Sequence, residues 1–360
     1  MYNLRKMFVM LSLGFGSGLP YILLISTTSA WLRDTGVELS LIGFFAWITF
    51  AYTIKFIWAP LVDRFSVPYF AKYGHRKSWI ALMQIIIISA LLLLSNIDPL
   101  QSFLFFCIVA GLIAFAGSFQ DIAIDAFRIE YAHISDQGNL AAAYQLGYRL
   151  AIIAATSLAL IFADSNGWSM TYKFLAMLMC FGFLGVIFSS ENKNAELGKL
   201  NFSNSIYEPL KDFFSRFKFF MASILLLIVA TYRLTDIVMG PMATPFYIDM
   251  GFTLTEIGAV VKVVALIASI VGIFVGGLLI KRIKIFRSLL IGAFLVMITN
   301  VLFAYVAITE KNIISLASIV AMDSLAAGIV GTVNIAFLTS LVSKKYTAFQ
   351  YALLTGFMTL

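Results

Sequence analysis

Residues 101–127 read QSFLFFCIVAGLIAFAGSFQDIAIDAF. The first 20 positions, 101–120, carry no charge. That is the length a helix rising about 1.5 Å per residue needs to cross roughly 30 Å of hydrocarbon. Charge arrives only at the end, as Asp121 and Asp125, one helical turn apart and on one face. The stretch predicts a membrane span that carries a pair of acids with it.

Working outward, nine more stretches have this character, roughly 8–31, 40–62, 78–96, 140–163, 168–189, 218–248, 252–280, 285–308 and 312–342. An eleventh starts near Tyr346 and is still apolar at Leu360, too short to cross. The sequence therefore reads as truncated at its C-terminal end, with a separately encoded C-terminal remainder as an expected partner. Composition agrees with a bilayer. Of 360 residues, 61% are hydrophobic and 12% are charged, against about 25% charged in soluble domains. A soluble fold of this size has no place to hide so much apolar side chain, so the lipid bilayer is the expected surrounding. The basic N-terminal Met1–Lys6 leads into an apolar run without a cleavage pattern, which predicts a retained first span.

Net charge is +7. The basic residues sit in short loops, which argues against nucleic acid as a partner. They are also one-sided: Arg5, Lys6, Arg64, Lys72, Arg76, Lys77, Arg128, Lys193, Lys199, Lys211, Arg216, Lys218, Lys281, Arg282, Lys284, Arg287, Lys344 and Lys345 fall on one side of the spans, with only Arg33 and Lys311 in loops on the other. The excess of Lys and Arg on cytoplasmic loops predicts a cytoplasmic N-terminus. The polar tract from Ser190 to about Phe217 divides the chain into a six-helix half, 1–189, a cytoplasmic linker, 190–217, and a second half, 218–360, with about four full helices and part of a fifth. The fold class is all-α, a polytopic membrane helix bundle.

The ionisable residues inside the predicted spans include Lys55, Asp121, Asp125, Arg149, Arg233, Asp236, Lys262 and Asp323. Each costs about 2.5–3.5 kcal/mol at a helix centre if it faces lipid, so the four acids and four bases must pair or line a hydrated cavity. Both readings stand: ion pairs that knit helices together, or a polar translocation path. Asp121 and Asp125 lie towards the cytoplasmic end of their span, where a lock on Arg64 or Arg76 would make an inner gate. Arg233 and Asp236 are three residues apart, and either pair with each other or divide into an anion-binding arginine and a proton-accepting acid. Arg149 has no acid four residues away on its helix. Its permanently charged, forked guanidinium suits a substrate carboxylate. Lys55, Lys262 and Asp323 are mid-span, with partners the sequence leaves open.

Gly14 and Gly18 form a GxxxG followed by Pro20. No strand precedes it, so it predicts close helix packing ahead of a proline-weakened turn. Trp31, Trp58, Trp79 and Trp168 lie near predicted interfaces, as belt residues do. His75 and His133 fall in loops without metal-ligand spacing. Cys107 and Cys180 sit in apolar runs. There is no Walker loop, CxxC or HExxH, so the expectation is a protein that is not an enzyme and uses neither metal nor cofactor.

Several strings carry a family resemblance. Asp63-Arg64 with Gly74-His75-Arg76-Lys77 resembles the signature between spans two and three of the major facilitator superfamily, stretched by an insertion. Gly14-Phe15-Gly16-Ser17-Gly18-Leu19-Pro20, Lys55-Phe56-Ile57-Trp58-Ala59-Pro60, Gln120-Asp121-Ile122 with Asp125-Ala126, Gly147-Tyr148-Arg149-Leu150 and Tyr232-Arg233-Leu234 with Asp236 resemble the AmpG-like muropeptide permeases of that superfamily. Related acetyl-CoA transporters share part of the first-half pattern. The resemblance implies a two-half helical bundle in a bacterial inner membrane, importing anhydromuropeptides with the proton gradient during cell-wall recycling. It points to Lys55, Asp121, Asp125, Arg149, Arg233 and Asp236.

On these grounds Lys55, Arg149, Arg233 and Lys262 are expected to bind substrate, and Asp236 and Asp323 to couple protons. Asp63, Arg64, Arg76, Asp121 and Asp125 are expected to form the cytoplasmic gate. The competing readings are carriage of another anionic metabolite such as acetyl-CoA or a nucleotide, a membrane-embedded enzyme, and a truncated protein that binds solute without moving it.

Overall fold

The computed structural model describes residues 4–68, 74–131, 136–191, 204–235, 243, 246–252 and 254–359; at 204, 205, 254, 255, 257–262 and 359 only the backbone is described. Among the described residues the regular structure is helical throughout. Helices α1 (Leu4–Ile22), α2 (Thr28–Asp34), α3 (Leu39–Ala46), α4 (Phe50–Thr53) and α5 (Ala59–Arg64) form the first two spans. They are followed by α6 (His75–Leu94), α7 (Phe103–Tyr131), α8 (Gln137–Ile153), α9 (Ala159–Phe188), α10 (Asn204–Phe217) and α11 (Phe219–Thr231). The rest are α12 (Leu254–Ile283), α13 (Ile285–Ala307), α14 (Ile313–Leu341) and α15 (Thr347–Thr359).

By length and apolar composition, 7 described helices are able to cross a membrane, or up to 9 when two bent pairs each count as one. One of the 7 is the run Gln137–Phe188, 52 residues long. At about 1.5 Å per residue it exceeds twice the thickness of a bilayer core. It turns back at Gly167, whose φ of 78° is open to glycine without strain. The predicted spans 140–163 and 168–189 therefore meet at one glycine rather than across a loop.

The surface of α7 explains why these helices need lipid. Leu104, Ile108, Leu112 and Phe115 recur every three or four positions and are exposed, Leu104 at 75%. Val109, Ala110, Ile113 and Ala114, on the opposite face, are buried. Beyond Ala116 the helix is nearly enclosed, and that is where its charges begin. The chain is a multi-pass membrane protein.

Two compact units are present: Met1–Ala132 with Ala143–Lys218 and Val342–Leu360, and His133–Ala142 with Phe219–Leu341. In the first, α6 lies along α7 and α9, and α1 along α9. A side chain added at Gly14 would strike the carbonyl of Tyr144, and one at Gly147 the carbonyl of Leu11, so α1 and α8 touch backbone to backbone. This is the close packing that the GxxxG predicts. After Pro20 the helix widens into a π-helical turn, Leu23–Thr27. Trp31 is only 4% exposed and packs on Phe106, Tyr172 and Trp168, so it is a core residue and not part of a belt. In the second unit α14 packs on α12 and α13, over a cluster that includes Tyr247, Phe252, Phe303 and Leu316.

Within the predicted linker, residues 204–217 form α10, and Lys218 just after it is a non-glycine residue with φ of 58°. α10 is apolar along one side only, with Phe213 buried and Tyr207 exposed.

Candidate functional site

The second span is broken where its charge lies. Trp47–Thr49 and Lys55–Ile57 are 3₁₀ turns on either side of α4, Ile54 has left the helical region, and the two parts bend by 42°. Pro60 stands just inside α5, where its missing N–H costs nothing and its ring disfavours helix before it. The break turns the Lys55 side chain inwards, 5% exposed, onto α7.

There its ammonium pairs with Asp121 and lies 4.0 Å from Asp125. The Ser17 hydroxyl of α1 donates to Asp121 and is 2.9 Å from the Tyr144 hydroxyl of α8. Asp125 is 3.5 Å from the guanidinium of Arg128, one turn further along α7. Arg128 is completely buried between the rings of Tyr144 and Tyr351, 5.8 and 5.1 Å from their centres. Two carboxylates on one helical face repel, and burial strengthens the repulsion. One lysine and one arginine offset it. The cluster joins α1, the bend of span two, α7, α8 and α15, all within the first unit.

A second network lies at the C-terminal end of α5. Arg76, 5% exposed, donates to Val62 O (2.7 Å), Asp63 (2.7 Å), Glu130 (2.9 Å) and the Thr347 hydroxyl (2.9 Å). Asp63 in turn accepts the backbone N–H groups of Ala348 (3.2 Å) and Phe349 (3.0 Å). The first N–H groups of a helix have no partner within it and carry partial positive charge, so a carboxylate from outside satisfies both needs of α15. Glu191 does the same for α6, accepting from the N–H groups of Arg76 and Lys77 at 2.9 and 3.0 Å. Burial pushes its carboxyl above the ordinary glutamate range, against the pull of those two bonds.

The other expected site residues are more scattered. Arg64, Arg149, Arg233 and Asp323 are half-buried. Asp323 is within electrostatic reach of Tyr247 in the second unit. Asp236 and the Lys262 side chain lie outside the described residues. A cavity of about 570 Å³ in the second unit is lined by Tyr232, Thr235, Val296, Asn300 and neighbours, without any of the expected charged residues. The lock expected between Asp121 or Asp125 and Arg76 is corrected: Arg76 serves Asp63 and Glu130, while the two aspartates take Lys55 and Arg128. A guanidinium held by four acceptors beside α5 has no reach left for a turn of α7 that has cations of its own. Sequence reasoning missed Arg128, Glu130, Ser17, Tyr144, Thr347 and Tyr351. Arg128 alone carried a signal, standing three residues after Asp125. Among the described residues no group of three His, Cys, Asp or Glu side chains is placed to hold a metal.

Long apolar helices with buried, mutually paired charges define a multi-pass membrane protein with charge held inside its spans. The sequence model of the Major Facilitator Superfamily matches residues 5–360, and the chain belongs to that family. A Rickettsia conorii protein named AmpG 4 is 32% identical over 363 residues, covering 99% of this chain and 86% of the relative. The anhydromuropeptide permease of Escherichia coli (strain K12) is 33% identical over 350 residues, 97% of this chain and 70% of the relative. AmpG 3 of Rickettsia prowazekii is 29% identical over 370 residues, all of this chain and 87% of the relative. The protein is a transporter of small-molecule solute and not an enzyme.

Proposed function

We propose that this chain imports anhydromuropeptides across a bacterial inner membrane, driven by protons, for reuse of cell-wall material. The observation that carries the reading is the match to the anhydromuropeptide permease of E. coli along 97% of the chain. The buried charges inside the spans support it, because ionisable groups held within a membrane by default mark a substrate or ion path. In this reading the N-terminus is cytoplasmic, and a six-helix half, 1–189, is joined by the linker 190–217 to the second half, 218–360. Arg149 and Arg233, with Lys262, hold the carboxylates of the peptide and lactyl groups. Asp63, Arg64 and Arg76 form the cytoplasmic gate, with the α15 N-terminus as the part that is gripped. Asp236 and Asp323 are acids available for coupling in the second half.

The substrate is tested by competition. Membrane vesicles containing the chain take up radiolabelled anhydromuropeptide in the presence of excess unlabelled anhydromuropeptide, acetyl-CoA or nucleotide. Inhibition by anhydromuropeptide alone is the expected result, with uptake strongly reduced in Arg149→Ala. Inhibition by acetyl-CoA at equal or lower concentration would replace the cargo.

A further inference from the structure

We propose that Asp121 and Asp125 together carry the transported proton, and that Lys55 passes its arrival to the gate through the bend of span two. The inference rests on the transport reading above and adds the site of coupling, in the first unit.

The geometry of the cluster is the starting point. With all four side chains ionised, two carboxylates stand against Lys55 and Arg128, and the formal charge is −2 + 2 = 0. Among the described residues, the hydroxyls of Ser17 and Tyr21 from α1, Tyr52 from α4, Tyr144 from α8 and Tyr351 from α15 also lie near the pair. The two acids are held unequally. Asp121 has the lysine and a hydroxyl donor at close range, and its side chain keeps 15% exposure, enough for water to reach it. Asp125 is 7% exposed and stands 4.0 and 3.5 Å from its cations. The two acids stand one turn apart on one buried face and both reach Lys55, so a proton on either changes the charge that the other and the lysine meet.

When a proton from water forms an O–H bond on one of these carboxylates, the cluster is left with one positive charge in excess. Lys55 then has a single anion to bridge instead of two. It is attached to the weakest point of its span, the 3₁₀ turn at a 42° bend, so a change in its hold is able to turn α5. Eight residues on from Lys55 is Asp63, which grips the first N–H groups of α15 and Arg76. α15 also presents Tyr351 to Arg128, so both ends of this linkage act on the same helix. Release of the proton from the carboxylate to water on the opposite side restores the neutral cluster and the grip.

Two measurements on the purified chain in liposomes test this. Infrared difference spectra between neutral and mildly acidic pH report protonated carboxylic acid directly, without any cargo. The wild type is expected to show such a band, diminished in Asp121→Asn and Asp125→Asn and unchanged in Asp98→Asn, an exposed loop acid. Asp125→Glu keeps a titrating group and is expected to restore the band at a shifted position. In the second measurement, exchange of labelled for unlabelled anhydromuropeptide at equal pH is expected to continue in the Asn variants. Accumulation against a gradient falls in them from a ceiling of about 50-fold per 100 mV for one proton to about onefold. A full band in both Asn variants, wild-type accumulation in either, or a folded Asp125→Glu without a band would overturn the proposal. A normal band in a wild type that moves no anhydromuropeptide would count against the transport reading and leave the proton site standing.

Discussion

At Gly147 the hydrogen that stands for a side chain is what lets α8 lie against α1. A Cβ there would enter the carbonyl of Leu11, and backbone is unable to rotate away as a side chain does. Gly147→Val is therefore expected to destabilise the protein by about 1–3 kcal/mol through overpacking, seen as a lowered unfolding midpoint in detergent. Gly111→Ala on α7 is the contrast: nothing lies within 4 Å of the added carbon, and better helix propensity leaves stability equal or raised by up to about 1 kcal/mol. Equal behaviour of the two variants would remove the packing argument. Half of this contact was legible in the sequence. Gly14 and Gly18 announce a close approach by their spacing, but spacing within one helix does not name the helix that comes close. The same limit governs the charges. That Asp121 and Asp125 share a face follows from their separation of four. That Lys55 meets them from 66 residues away does not, because it depends on where two helices cross.

Among the elements, α15 shows how one carboxylate organises a helix. Two N–H groups of its first turn, at Ala348 and Phe349, go to Asp63, and its Thr347 hydroxyl joins Arg76 to Glu130. Asp63→Asn keeps the shape and removes the charge that answers both the helix terminus and Arg76. Hydrogen–deuterium exchange of the Ala348 and Phe349 amides is expected to accelerate about 5–30-fold, the equivalent of a lost cap of about 1–2 kcal/mol, while the amides of α13 keep their rates. Unchanged exchange at α15 would show that Asp63 does not hold it. The apolar runs that make the helices were plain in the sequence. Their interruptions were less so. Gly167 looked like part of a short loop and is a single-residue reversal, and α10 was hidden in a stretch too polar to count as a span. In each case hydropathy reports how apolar a segment is and not the direction it takes.

On the scale of the whole molecule, composition and the one-sided basic loops fix a membrane protein before any helix is placed. The family match then says that it moves a solute. What composition leaves out is the energy source. The most direct measurement is accumulation of labelled anhydromuropeptide by liposomes containing the purified chain, with and without an imposed proton gradient. The expected result is an internal concentration well above the external one, towards about 50-fold per 100 mV, collapsing to equality when a protonophore is added. Entry that reaches equality and is unaffected by the gradient or the protonophore would contradict a proton-driven carrier.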